Sequence, residues 1–216
     1  MILPFHTDAD VDAAAPRIAA QLAAGRLLAY PTETVYGLGS FADATALDRL
    51  AQLKGRPAGK PFLLLIDGIA MLDAAGLSLS SYARVLAHEF WPGPLTLVLR
   101  GGEGKLPDRL RGPEGGIAVR WTSHRGVARL LRHLGQPLTS TSANLPGRQA
   151  APGPEAIAQF FPDAVDAGDL LLLDGGVLGN VPPSTLVDCT GSAPRLVREG
   201  AIPRHELRHR AGSSAP

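Results

Sequence analysis

RLLAYPTETVYGLG, residues 26–39, joins a short apolar run to a loop dense in hydroxyl groups, and the fold is read outward from it. RLLAY (26–30) has the composition of a buried strand. PTETVYGLG (31–39) then offers Thr32, Thr34, Tyr36, the carboxylate of Glu33 and two glycines before the next helical pattern begins. Loops at the ends of sheet strands are where α/β proteins usually place ligands, and Gly37 and Gly39 would let backbone approach a small molecule closely. A tight structural turn with Tyr36 packed beneath it would satisfy the same composition.

On the N-terminal side, residues 10–25 read as a helix with Ile18 and Leu22 on one face, Asp12 as cap, Gly25 as stop and Pro16 in or near the first turn. On the C-terminal side, a helix over 43–54 starts near Asp43 and lines up Leu47, Leu50 and Ala51, which leaves Lys54 at its C-terminal end. FLLLI (62–66) is again a buried strand. The alternation continues with a helix near 81–90, strands at LTLVL (95–99) and IAVRW (117–121), and a helix near 124–134 capped by Ser123 and ended by Gly135. Beyond residue 145 the pattern loosens into Pro- and Gly-rich turns, a helix at 154–161, and strands near 170–173, 184–189 and 195–198.

Continuous apolar strands of this kind are covered on both faces, so the fold class is α/β, a mixed or mostly parallel sheet flanked by helices. The expectation is one domain over 1–202, with PRHELRHRAGSSAP (203–216) as a frayed tail lacking apolar periodicity.

Composition narrows the function classes. The formal net charge is +1, from 21 basic and 20 acidic residues, which argues against a surface that clamps polyanionic nucleic acid as a whole. Any phosphate binding must then be local. Cys189 is the only cysteine and the six histidines are scattered, so neither an intramolecular disulfide nor a resident metal cluster is expected. No stretch has the length and apolarity of a membrane span, and MILPFHTDADVD does not read as a secretory leader, which points to a cytoplasmic protein without membrane contact.

Five further segments carry polar groups out of proportion to their surroundings. The chain has three lysines, and two of them, Lys54 and Lys60, flank Arg56 in KGRPAGK (54–60). A guanidinium and ammonium groups converging on a loop can hold phosphates, although a solvated basic turn at a helix C-terminus has the same look. Arg120 interrupts the apolar strand GIAVRW, where a charge needs either a partner or a cleft; it could grip a carboxylate or close a structural salt bridge. STSAN (140–144) supplies Ser140, Thr141, Ser142 and Asn144 within five residues, and these can orient a small polar ligand or simply form a turn. Ser184 and Thr185 in PSTLVD (183–188), with Arg198 in RLVREG (195–200), repeat the theme. The chain has no GxxxxGK[ST], GxGxxG after a strand, HExxH or GxSxG motif, so standard ATPase and hydrolase readings lose support.

Taken in order, PTETVYGLG, KGRP, WPGPLTLVL (91–99), Arg120 in GIAVR and STSAN resemble the YrdC/Sua5 family of threonylcarbamoyl-AMP synthases over roughly residues 10–202. The resemblance implies a YrdC-like twisted mixed sheet around a concave, positively lined cleft. It implies synthesis of threonylcarbamoyl-AMP from L-threonine, bicarbonate and ATP with release of pyrophosphate, Mg2+ accompanying the ATP. The product would pass to a transferase complex that modifies N6 of adenosine at tRNA position 37. By motif, Thr32, Arg120, Ser140 and Ser184 would bind threonine, Arg120 through its carboxylate. Lys54 and Arg56 would be catalytic and hold the phosphates, with Ser142, Asn144 and Arg198 also on the ATP. The length resembles the short bacterial form, while WTSHRG after the strand arginine departs from the proline-containing segment of many relatives.

Every participant in that reaction carries negative charge, so catalysis would rest on positioning and cationic stabilisation, with Glu33 as a loop brace or a metal-water contact. Two other readings compete. One is a structured-RNA binding protein in direct contact with RNA, for which a basic cleft also suits. The other is an enzyme that adenylates a different carbamoyl substrate, as in hydrogenase maturation proteins with a related domain.

Overall fold

The computed structural model describes residues 1–55 and 60–211. Along the chain run β1 (Ile2–Pro4), α1 (Asp8–Ala23), β2 (Leu27–Tyr30), β3 (Gly37–Gly39), α2 (Ala44–Leu53), β4 (Leu63–Ile66), α3 (Ile69–Ala74), β5 (Leu77–Ser78) and α4 (Ser81–Phe90). Then follow β6 (Leu95–Gly101), a 3-10 turn (Asp108–Leu110), β7 (Ile117–Trp121), α5 (Arg125–Leu134), β8 (Leu138–Ser142), α6 (Pro154–Phe160), α7 (Pro162–Asp166), β9 (Leu170–Asp174), β10 (Thr185–Asp188), β11 (Arg195–Arg198) and α8 (Arg204–Ala211). The described strands form one 11-stranded mixed sheet in the order β1-β9-β2-β3-β8-β4-β7-β6-β10-β11, with β5 added on β6.

The apolar strands alternate between two cores, as expected for a sheet covered on both faces. Leu27 and Ala29 of β2, Leu64 and Ile66 of β4, and Leu170 and Leu172 of β9 join the larger core with α2, α4 and α6. Leu28 and Tyr30, Leu65, and Leu171 and Leu173 face the other way, against Val11, Ile18 and Leu22 of α1 and Val127, Leu130 and Leu131 of α5. The second face is covered on only part of the sheet. Register carries it onward from Leu65 to Arg120 in β7, from Ala118 to Val98 in β6, and from Val98 to Asp188 in β10. There no helix of the described residues sits on it, and the same face becomes the wall of a cleft.

Local chemistry revises several boundaries. Helix α1 begins earlier than expected because Thr7 is its cap: its hydroxyl accepts from Asp10 N at 3.1 Å while the Asp10 carboxylate accepts from Thr7 N at 2.8 Å. Asp12 is therefore inside the helix, and Pro16 lies midway along it rather than in the first turn. The helix survives because Val11, Ala14, Ala15, Ile18 and Leu22 are buried on one face. In α5 the cap is His124, whose Nδ1 accepts from Val127 N at 3.2 Å, and not Ser123. Gly135 does end that helix, in the left-handed conformation at φ 67°.

The expected frayed tail is corrected by α8. Leu207, its one leucine, is fully buried in the larger core, and the Arg210 guanidinium lies 4.5 Å from the Phe90 ring centroid of α4. Residues 212–216 lie outside the described residues. No described helix is long and apolar enough to cross a membrane.

Candidate active site

A cleft of about 1150 Å³ opens on the uncovered part of the sheet. Its walls come from the loop after β2, the strands β6, β7, β8 and β10, and the segment 178–184 that leads into β10. Among the described residues, five basic side chains line it, Lys60, Arg120, Arg148, Arg195 and Arg198, against two acidic ones, Glu114 and Asp188. Both acids face Arg195, at 3.6 Å from Glu114 and 2.9 Å from Asp188. Burial disfavours the Asp188 carboxylate, but hydrogen bonds from Thr190 and Arg195 outweigh it and hold its pKa below the ordinary carboxylate range.

Arg120 ends on the cleft floor, 4% exposed. Its Nη1 donates to Thr34 Oγ1 at 3.1 Å, and its Nε faces Glu33 Oε1 at 3.5 Å. Glu33 Oε2 accepts from Thr122 Oγ1 at 2.7 Å. The motif carboxylate is thus a brace behind Arg120, and it is absent from the cleft lining. Thr32 is equally engaged within the loop: its hydroxyl donates to Val35 O at 2.7 Å and accepts from the backbone N–H groups of Thr34 and Val35, each at 3.2 Å.

Arg198 reaches the cleft from β11. It donates to Ser184 O from Nη2 at 2.8 Å, and Ser184 Oγ pairs with Thr96 Oγ1 at 2.8 Å. Partial burial lowers the Arg198 pKa, and the nearby charge of Arg120 lowers it further. No carboxylate of a described residue lies within salt-bridge distance of Arg198, so the two guanidinium groups share a space that favours an anion.

STSAN divides between strand and loop. Ser140, Thr141 and Ser142 belong to β8, with Ser140 Oγ facing Gly37 and open to the cleft. The Ser142 hydroxyl donates to Asn144 Oδ1 at 2.6 Å, and Asn144 Nδ2 donates to Leu145 O and Arg148 O. Lys54, the C-terminal cap of α2, fixes this loop from beneath: its ammonium donates to Ser142 O at 2.8 Å, to Asn144 Oδ1 at 2.8 Å and to Asn144 O. It is 6% exposed and does not appear in the described cleft lining. Arg56 lies outside the described residues.

The structure therefore brings Thr32, Arg120, Ser140, Ser142, Asn144, Ser184 and Arg198 to one cleft, from segments far apart in sequence. Thr34, Arg148 and Arg195 join them without having been singled out. The spacing of Arg195 and Arg198 in RLVR was the available signal for one; Thr34 and Arg148 had none beyond their places in or beside a motif.

A family model for Sua5, YciO and YrdC, described as "Telomere recombination", matches residues 20–200. The threonylcarbamoyl-AMP synthase of Pyrococcus abyssi (strain GE5 / Orsay) is 35% identical over 184 residues, 85% of this chain and 53% of that protein. The protein of the same name from Thiobacillus denitrificans is 39% identical over 178 residues, 82% of this chain and 92% of that protein. A crystal structure of P. abyssi Sua5 complexed with L-threonine matches with a TM-score of 0.86 and 30% identity, covering 100% of this chain and 62% of that one. The chain spans about half the length of the curated relatives from P. abyssi and Bacillus subtilis.

Proposed function

Because the chain belongs to the Sua5/YciO/YrdC family, we propose that it makes threonylcarbamoyl-AMP from L-threonine, bicarbonate and ATP. The observation that carries this reading is the pair of guanidinium groups, Arg120 and Arg198, facing one hydroxyl-lined cleft with no carboxylate of a described residue on Arg198. All three substrates carry anionic groups, and such a cleft gathers them.

In the reaction, bicarbonate gives carbon dioxide and hydroxide, the neutral threonine amine attacks the carbon of carbon dioxide as a C=O π pair moves onto oxygen, and the proton lost from nitrogen combines with the hydroxide as water, leaving a carbamate. A carbamate oxygen then attacks the α-phosphorus. The bond from the α-phosphorus to the bridging oxygen breaks, and pyrophosphate leaves with the electron pair. Arg120 holds the threonine carboxylate, with Thr32, Ser140 and Ser184 shaping that end of the cleft. Arg198, Ser142 and Asn144 serve the nucleotide. Lys54 acts through its grip on the Ser142–Asn144 loop as well as through its charge, and Arg56, outside the described residues, is given to the phosphates by its motif alone. This is catalysis by placement and by fixed positive charge rather than by a tuned acid or base.

Magnesium enters with the nucleotide as part of the substrate, the triphosphate and water supplying most of its oxygen ligands. The product is a reactive mixed anhydride, suited to a transferase that moves the threonylcarbamoyl group to N6 of a tRNA adenosine, and this work belongs in the cytoplasm. Pyrophosphate release by purified protein with MgATP, with threonine and bicarbonate each present or omitted, tests the reading. Release that requires both supports it. No release, together with salt-sensitive binding of RNA that ignores threonine and ATP, would replace it with direct RNA recognition.

A further inference from the structure

Two buried atoms behind the cleft, Glu33 Oε1 and Arg120 Nε, face each other without completing a hydrogen bond. The ion pair keeps the Arg120 charge in place but gives it no direction, because at 3.5 Å it lacks the geometry of a directional bond. Direction comes from Thr34, which accepts from Arg120 Nη1 at 3.1 Å.

Thr32 has a single hydroxyl proton, and it goes to Val35 O at 2.7 Å, while its two lone pairs accept from the backbone N–H groups of Thr34 and Val35, each at 3.2 Å. That hydroxyl is fully used within the loop. A guanidinium can only donate, so Thr34 Oγ1 is the acceptor for Arg120 Nη1, and it sits 3.1 Å from Thr32 Oγ1. Both threonines are buried, which fixes the Thr34 hydroxyl beside Arg120.

We propose that Thr34 is a positioning residue, which uses this hydrogen bond to aim the Arg120 guanidinium at the substrate carboxylate while Glu33 compensates its charge from behind. The proposal rests on the reading of the cleft as a threonine site. It separates Thr34 from the residues that touch substrate: its effect passes through Arg120.

The test compares wild type, Thr34→Val, Thr34→Ser, Arg120→Lys and the Thr34→Val/Arg120→Lys double variant. The readouts are pyrophosphate-release kinetics and calorimetric titration with L-threonine alone. Thr34→Val is expected to raise the threonine KM about tenfold while kcat and the ATP KM stay within about twofold, since one hydrogen bond to a charged group is lost. Thr34→Ser, which keeps the hydroxyl, should restore the wild-type value. In the Arg120→Lys background the same change should add less than about twofold, because lysine has no guanidinium to aim. Thr34→Ala removes the hydroxyl without added bulk and gives the same comparison if valine crowds the loop. An unchanged threonine KM, equal losses for threonine and ATP, no rescue by serine, or a full additive loss beside Arg120→Lys would each overturn the proposal. A wild-type protein that neither binds threonine nor releases pyrophosphate is a different result, and overturns the reading of the cleft along with it.

Discussion

Lys54 shows how one side chain can serve a site from outside it. A buried ammonium that donates to Ser142 O, Asn144 O and Asn144 Oδ1 sets the shape of the loop after β8, so its loss is felt twice. Lys54→Ala is expected to destabilise the protein by about 2–4 kcal/mol in urea unfolding, because acceptors of charged hydrogen bonds are left unpaired. In pyrophosphate-release kinetics it should raise the ATP KM more than the threonine KM, whereas Arg120→Ala should do the reverse. Cys189 provides a contrasting test of burial. Its thiol is pushed up to about 12, first by burial and then by the adjacent Asp188 charge. A disulfide exchange reagent at pH 8 should therefore leave it nearly untouched until the protein is unfolded, and rapid labelling of the native protein would contradict the packing described. At this scale the sequence was legible where a residue was out of place: an arginine in an apolar strand, or paired lysines in a chain poor in them. It was silent on direction. Nothing in PTETV says that Thr32 braces the loop while Thr34 braces Arg120, because that depends on which carbonyl takes which proton.

At the level of elements, the strands and helices whose apolar period is strong were legible, and α4, β7 and β11 have the expected limits. What the pattern could not show were pieces whose stability comes from a neighbour. Strand β3 is three residues inside a polar motif, and it exists because Gly39 allows contact with β8: a Cβ there would lie 1.9 Å from Thr139 O. Gly39→Ala should accordingly force β3 and β8 apart, giving a large loss of stability and of activity together. Helix α8 was missed because its sequence offers one leucine among charges, yet Leu207 is fully buried. Leu207→Ala is expected to cost about 2–5 kcal/mol in urea unfolding, as for other buried leucines; a surface-like change below about 0.5 kcal/mol would mean the helix is not docked.

The α1–α5 contact carries a pH dependence of definite sign. Hydrogen bonds from Arg129 and His133 hold the Asp12 carboxyl well below the ordinary carboxylate range. Depression in the folded state means that this contribution is present above the unfolded value near ~4 and is lost as pH falls through the folded one. The melting-temperature deficit of Asp12→Asn should thus be full above about pH 5 and close progressively below about pH 4.

For the molecule as a whole, the cleft follows from unequal coverage of one sheet face. Helices α1 and α5 pack on that face at β2, β4 and β9, and beyond Leu65 the same register exposes Arg120, Ala118, Val98 and Asp188. Motifs separated by more than a hundred residues, from Thr32 to Arg198, meet there. Their order along the chain was legible as a family resemblance, but their convergence was not, because strand order β8-β4-β7-β6-β10 reverses and skips through the sequence. The proposed function requires this one chain to join threonine, bicarbonate and ATP in that cleft. The decisive experiment is mass spectrometry of the products formed by the purified protein with MgATP, L-threonine and isotopically labelled bicarbonate. Threonylcarbamoyl-AMP carrying the bicarbonate label is expected, abolished when any of the three substrates is omitted. A nucleotide product without the label, or none at all from a folded protein, would contradict it.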